Sequence, residues 1–290
     1  MLKKRLIATL IVKDGIVVQS INFRTFLPVG KPAIAIEFLN AWGIDEIVLV
    51  DITASKDHTR KTYDFIEQIS RRCFVPLTVG GGINSIDDIR ALLNFGADKI
   101  VVNAHALSNP EFITQAAHIF GNQCIVASID VKGSKPSEYR VYNATKGHAT
   151  DLKPLDWAKR LEALGAGEIY LTSVDRDGSK QGFDLGLIDM VAGNVAIPVI
   201  ASGGAGHAGH ILEAFAKTKA SAVSAANFFH FSEHSVIASK ALLSNNRINI
   251  RLNTPATYTE ASFDENFRLK KQPDEYLGNL LFEKITKEII

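Results

Sequence analysis

Short runs of apolar, largely β-branched residues recur along this chain, and after each one apolar residues return at helical spacing. The runs lie at 5–12, 46–52, 75–79, 98–103, 124–130, 168–174, 197–201 and 220–226. Near-continuous apolar strands are buried on both faces, which is the mark of parallel sheet. Between them the spacing predicts amphipathic helices at 32–42, 59–72, 85–95, 109–120, 154–164, 184–193 and 207–217. Eight strands alternating with helices over about 250 residues fit an α/β fold of the (β/α)₈ TIM-barrel type. A doubly wound open sheet is the rival architecture, and it is disfavoured because no GxGxxG follows the first strand.

The pattern also repeats on a longer scale. PLTVGGG at 76–82 aligns with PVIASGG at 198–204, EIVLVD at 46–51 with EIYLTS at 168–173, and GADKIVVN at 96–103 with ASAVSAAN at 220–227. Collinear matches of this kind predict two similar half-barrels, with strands two to four corresponding to strands six to eight. The barrel is expected over 1–253. The remainder, 254–290, forms a C-terminal extension that starts with Pro255 in a polar stretch and ends in an amphipathic helix over 274–290.

Composition narrows the classes of partner. A formal net charge of +1 argues against nucleic acid or anionic membrane as the main partner. Cys73 and Cys124 are too few for a disulfide framework, and no HxH, HExxH or CxxC spacing supports a metal. No run reaches the roughly 18 apolar residues of a membrane span, and Lys13 and Asp14 interrupt the apolar start before any cleavage site. A cytoplasmic protein is expected, with neither metal nor cofactor.

In such barrels the active site lies at the C-terminal ends of the strands. Gly80-Gly81-Gly82 ends the third strand and Gly203-Gly204 the seventh. Glycine there lets backbone N–H groups approach an anion, and the following helix N-terminus adds a favourable dipole. Asn103 and Ala104 complete one candidate phosphate site. Ala226 and Asn227 complete the other, which Asp177 and Gly178 close. One glycine loop alone is equally a tight turn, but two at repeat-related positions predict a long substrate with a phosphate at each end. Between them the strand ends carry Asp51, Asp130, Thr172, Ser173, Asp175 and Ser202. Asp130, closing an apolar strand, is the candidate general acid or base. At the opposite end Arg5, Glu46, Lys99 and Glu168 begin strands one, two, four and six. As two cations and two anions they read as a salt-bridged ring closing the floor.

These residues together resemble the cyclase subunit of imidazole glycerol phosphate synthase, of histidine biosynthesis. The resemblance covers about 1–253 and rests on VKDG at 12–15, DITAS at 51–55, PLTVGGGI at 76–83, GADK at 96–99, TSVDRDGSKQGFD at 172–184, ASGGAG at 201–206 and FHF at 229–231. It implies a lyase-type synthase subunit in a heterodimer with a glutaminase bound at the N-terminal barrel face, near Asp98. It also implies that Arg5, Glu46, Lys99 and Glu168 gate ammonia into the barrel core. The implied substrate is a phosphoribulosyl formimino carboxamide ribonucleotide held between the two phosphate sites, with two carboxylates as acid and base. The implied products are imidazole glycerol phosphate and an aminoimidazole carboxamide ribotide.

The sequence departs from that pattern at the first strand. Asp130 matches one catalytic carboxylate, but the partner position is Ile11, which can neither accept nor donate a proton. Loss of one member of such a pair typically costs 10²–10⁴-fold in rate. Gln19 replaces a mobile-loop lysine, Ala8-Thr9 the usual Pro-Cys, and Asn227 a phosphate-site serine, while 254–290 has no counterpart. Three readings follow. The chain is a synthase subunit working through Asp130 alone; or a paralogue delivering ammonia for amidation of nucleotide-linked sugars in surface (lipopolysaccharide-type) polysaccharide synthesis; or a non-enzymatic scaffold that binds a phosphorylated ligand.

Overall fold

The computed structural model describes residues 2–53, 63–231, 234–252, 261–271 and 273–275. Its elements in chain order are β1 (Arg5–Lys13), β2 (Ile16–Ile21), β3 (Thr25–Gly30), α1 (Pro32–Ala41), β4 (Glu46–Asp51), α2 (Tyr63–Ser70), β5 (Leu77–Gly80), α3 (Ile86–Asn94), β6 (Lys99–Val102), α4 (Ala104–Ser108) and α5 (Glu111–Phe120). They continue with β7 (Ile125–Lys132), β8 (Arg140–Asn143), β9 (His148–Ala149), α6 (Pro154–Ala163), β10 (Glu168–Ser173), α7 (Leu185–Ala192), β11 (Val199–Ser202), α8 (Ala208–Lys217), β12 (Ala222–Ala225), α9 (Asn227–Phe231) and α10 (Ser235–Asn245).

Eight of the strands pair in parallel and close on themselves in the order β1, β4, β5, β6, β7, β10, β11, β12 and back to β1. Helices follow them around the outside, so the fold is the (β/α)₈ barrel that the periodicity predicts. Closure removes sheet edges and buries both strand faces, which explains the continuous apolar runs. The period of two divides each strand between two cores. Along β1, Leu6, Ala8, Leu10 and Val12 face outward into the large core shared with the helices. Ile7 faces inward, where it meets Val48, Val101, Val126, Tyr170, Ile200 and Ala222 from the other strands.

Local sequence sets the helix starts. Pro32 and Pro154 open α1 and α6, where a missing N–H costs nothing. Ser85 and Asp88 form a reciprocal capping box at the start of α3. The helix expected over 59–72 is described only from Tyr63 onward, as α2.

Two antiparallel excursions interrupt the alternation and were not expected. The first is the β2–β3 hairpin, which extends β1 beyond the barrel; its turn is made by Asp14 and Gly15, both at positive φ. An Asp-Gly pair between two apolar runs is a hairpin signal. The helix and strand count absorbed it because the eight main runs already filled the barrel. The second is β8–β9, which continues β7. The closing helix α10 is fixed by a buried cluster: Lys240 Nζ and Arg251 Nε reach Asp45 Oδ1 at 2.6 and 2.9 Å, while Asp45 Oδ2 accepts the Leu6 N–H.

Part of the C-terminal extension docks on the barrel. A bridge joins Phe263 to Leu269, and between them the Phe267 ring stacks on His207 with centroids 5.3 Å apart. The ring lies over Gly209, where an added Cβ would come within 2.4 Å of it. Of the helix expected over 274–290, only residues 274–275 are described, and they are helical. No described helix is long and apolar enough to cross a membrane.

Candidate functional site

At the mouth, Asp130 and Ile11 both stand on the inner face. Asp130 lies in register with Thr172 at the end of β7 and is 5% exposed. Burial pushes its carboxyl up to about 7; the Asn103 amide pulls against that shift and the charge of Asp177 adds to it. Asn103 Nδ2 donates to Asp130 Oδ2 at 2.7 Å and to Ser128 Oγ at 3.3 Å. A carboxyl poised near neutrality is suited to moving a proton in either direction. Ile11 follows Ile7 and Thr9 in the inward alternation of β1, so the position facing Asp130's side of the mouth carries a hydrocarbon.

The two glycine turns are copies of one structure. Gly81 sits at φ 116°, where a Cβ would lie 2.2 Å from the carbonyl oxygen of Asp51 at the end of β4. Gly203 sits at φ 93°, where a Cβ would lie 2.6 Å from the carbonyl oxygen of Ser173 at the end of β10. These pairs occupy repeat-equivalent positions, so the half-barrel match extends to a specific backbone contact. Each turn leads into a long helix, α3 or α8. Beside each lies a short helix after the neighbouring strand: α4 starting at Ala104, and α9 starting at Asn227 after Ala226. The two turns and the two short helix starts therefore lie at repeat-related places around the mouth.

Three of the residues assigned from sequence to the phosphate cradles also hold the β2–β3 hairpin. Asp177 Oδ2 accepts from Ser20 Oγ at 2.7 Å and from the Phe23 N–H at 3.2 Å; burial raises its carboxyl from the ordinary value and these bonds oppose the rise. Asn227 makes a two-way bond with the Ser20 backbone, accepting its N–H at 3.3 Å and donating to its carbonyl at 2.8 Å. Gly178 lies against Ser20 and Ile21 closely enough that a Cβ would meet the Ser20 oxygen at 2.7 Å. The hairpin therefore leans across the β10–β12 side of the mouth. Ser20 was missed at the sequence level, and its only signal was the hairpin turn preceding it. Asp175 is engaged in accepting the Gly133 N–H at 2.8 Å.

At the floor the four charges expected there meet. Arg5 Nη1 lies 2.7 Å from Glu46 Oε1, its Nη2 bonds Glu168 Oε1, and Lys99 Nζ lies 3.2 Å from Glu46 and 2.9 Å from Glu168. Each cation touches both anions, so the ring is closed. Burial disfavours the Arg5 charge, yet Glu168 and Glu46 outweigh it and hold the guanidinium above its ordinary range. The buried Oε2 of Glu46 has no hydrogen-bond partner among the described residues. Above the ring comes the apolar inner core, and above that a hydroxyl cluster. Tyr170 Oη lies 2.7 Å from Thr9 Oγ1, 3.0 Å from Ser224 Oγ and 3.1 Å from Ser202 Oγ, and Thr9 and Ser224 are 2.6 Å apart. Among the described residues no group of three or more His, Cys, Asp or Glu side chains is placed to hold a metal ion.

A closed (β/α)₈ barrel with paired glycine turns at the mouth and a charged ring at the floor defines a class of barrel proteins, and comparison with known proteins shows the family. Residues 5–235 match the family described as "Histidine biosynthesis protein", and the chain belongs to that family. It is 47% identical over 255 residues to the "Imidazole glycerol phosphate synthase subunit HisF" of Hydrogenobaculum sp. (strain Y04AAS1), covering 87% of this chain and 100% of that protein. The subunit HisF of Streptococcus mutans serotype c is 44% identical over 251 residues, with 87% and 100% covered. A provisionally named imidazole glycerol phosphate synthase subunit hisF2 of Vibrio vulnificus (strain YJ016) is 44% identical over 264 residues, covering 91% of this chain and 97% of that protein.

Proposed function

We propose that the chain is the barrel subunit of a cytoplasmic, glutamine-dependent synthase. A glutaminase docked on the floor releases ammonia, which travels along the barrel axis to a substrate carrying a phosphate at each end. In the histidine-pathway version, ammonia attacks the ketose carbonyl with loss of water. Ring closure and cleavage then give imidazole glycerol phosphate and an aminoimidazole carboxamide ribotide. The observation that carries this reading is the stacking, on one axis, of a closed Arg5–Glu46–Lys99–Glu168 ring, a bore and two equivalent glycine turns. The relatives' description as synthase subunits supports a partner chain.

In this reading Gly82, Asn103 and Ala104 hold one phosphate, and Gly203, Gly204, Ala226, Asn227, Asp177 and Gly178 hold the other. Asp130 moves protons between them. With its carboxyl near 7 it is partly ionised at neutral pH, so it can take a proton from the attacking nitrogen and return one to a leaving oxygen. Ile11 leaves that work to one group.

A second reading is favoured by Ile11 itself: the floor and turns are retained while the mouth lacks its second acid–base group. On this reading the barrel passes ammonia to the amidation of nucleotide-linked sugars. Turnover of the purified chain with the histidine-pathway substrate and saturating ammonium separates the two, because ammonium bypasses the glutaminase. Turnover by the native chain supports the cyclase. No turnover in the native chain, with glutaminase binding intact and activity gained by Ile11→Asp, supports ammonia delivery. Failure to bind any glutaminase rejects both.

A further inference from the structure

Tyr170 is out of keeping with its position. It points inward from β10, two residues above Glu168, and its ring belongs to the inner core formed with Ile7, Val48, Val101, Val126, Ile200 and Ala222. Its hydroxyl reaches Thr9 on β1, and β11 and β12 stand between β10 and β1 in the closed ring of strands. A side chain that bonds three strands away in an eight-stranded barrel crosses the bore. It cuts the axis between the charged floor and Asp130.

The chemistry at the tip of this barrier is specific. Tyr170, Thr9, Ser202 and Ser224 supply four hydroxyls on four strands, and each can donate one hydrogen bond and accept others. Tyr170 is 7% exposed, Thr9 7% and Ser224 fully buried, and burial raises the phenol above its ordinary value, so it stays protonated and keeps its donor. The hydroxyls carry no charge, and the walls below them are hydrocarbon. Such a site disfavours a cation, which would have to be desolvated without a counter-charge. It suits a small neutral molecule that both donates and accepts. Below it, the unpartnered Glu46 Oε2 offers an acceptor at the floor end of the same bore.

We propose that Tyr170, Thr9, Ser202 and Ser224 form an ammonia-binding gate across the barrel bore. Neutral ammonia exchanges into the hydroxyl cluster, replacing the bonds from Tyr170 to Thr9 and Ser224, and the freed ring turns aside to let it pass toward the mouth. The choice of ammonia rests on the function proposed above; the barrier and its hydroxyls rest on geometry alone.

The test uses the full chain without a glutaminase, so its failure is distinguishable from failure of that function. The protein is labelled with ¹³C at the tyrosine Cζ, and the Tyr170 line is assigned among six tyrosines by its loss in Tyr170→Phe. If that variant fails to fold, the line displaced by Thr9→Val identifies it. Ammonium chloride is titrated at a pH high enough to leave much of it as free ammonia, then at pH 7, with sodium chloride as the ionic control. The expected result is a saturable movement of the Tyr170 line that follows free ammonia, is much smaller at pH 7, and is weakened several-fold by Thr9→Val. A Tyr170 line that moves no more in ammonia than in sodium chloride overturns the gate, and leaves glutaminase binding to be judged separately.

Discussion

The floor and the mouth of this barrel are ends of the same eight strands, yet they treat charge in opposite ways. At the floor, two cations and two anions from four strands neutralise one another within the chain. At the mouth, Asp130 is more deeply buried than either floor cation, and a neutral amide is its bonded partner. A self-paired ring is a finished structural object whose worth shows when a member is removed. A buried carboxyl held by an amide is unfinished: its charge is disfavoured by burial and adjustable by whatever enters the mouth. The comparison therefore predicts that floor substitutions act mainly on stability and coupling, and mouth substitutions on proton chemistry.

The broadest effect belongs to the floor, where stability and coupling change together. In Glu168→Ala, Arg5 and Lys99 are left sharing Glu46, and an uncompensated buried charge is destabilising by about 3–5 kcal/mol. The two cations are each about a fifth exposed, so the lower end, roughly 3 kcal/mol, is expected in denaturant melts. If a glutaminase docks on the floor as proposed, the same variant, like Arg5→Ala, should uncouple glutamine hydrolysis from product formation. A melting curve that matches the native one shows that the ring contributes nothing at this end and removes the contrast.

At the mouth the effect depends on pH. The Asp130 carboxyl is raised from 3.8 to about 7 in the folded chain, so the folded state binds that proton more tightly than the unfolded state. Folding is then favoured at low pH, and the penalty grows as pH rises from about 4 to about 7. At 1.36 kcal/mol per unit it reaches roughly 4 kcal/mol above that window. Asp130→Asn removes the titration. Its melting temperature should exceed that of the native chain at pH 8, and the gap should shrink toward pH 4; a gap that is constant with pH contradicts the raised carboxyl.

This contrast was half legible in the sequence. The floor could be read because each charge opens an apolar run, and the order of the strands brings Arg5, Glu46, Lys99 and Glu168 to one end. The glycine turns could be read because repetition distinguishes a shared structural demand from a single turn, and the Gly81–Asp51 and Gly203–Ser173 contacts embody that demand. The hairpin clamp and the Tyr170 cluster could not. Ser20 meets Asn227, and Tyr170 meets Thr9, only through strand closure and side-chain reach, and period-two patterning says which face a residue takes but not what it touches across the bore. The Asn103 side-chain bond to Asp130 likewise follows from strand closure and gives the residue a second role that no spacing in the sequence shows.

A smaller effect tests whether the mouth is merely unfinished or wholly inert. Ile11→Asp restores a second carboxylate opposite the first. If the rest of the site suits cyclase chemistry, turnover with ammonium and the histidine-pathway substrate should rise at least about tenfold, a minimum set below the usual, roughly 10²–10⁴-fold, contribution because Asp130 already supplies one group. Two like charges sharing the mouth should also raise one carboxyl further, so the variant's pH–rate profile should differ from the native one in shape as well as height. An unchanged rate places the obstacle outside Ile11.

The smallest effect separates the mouth's own structure from its chemistry. Asn227 bonds both backbone groups of Ser20, and Asp177 bonds its hydroxyl, so residues proposed for the second cradle hold the hairpin. In Asn227→Ala the Ser20 N–H and carbonyl lose their side-chain partner, at a net cost of about 1 kcal/mol, because the hairpin can turn those groups to water. Global stability should barely move, whereas hydrogen exchange at Ser20 and its β2 neighbours should quicken relative to β12, which keeps its pairing with β1 and β11. Equal protection of β2 in both chains means Asp177 alone suffices to hold the hairpin. Selective loss means the second cradle and the hairpin act as one unit, so that an anion competing for Asn227 at that cradle also releases the strand beside Ile11.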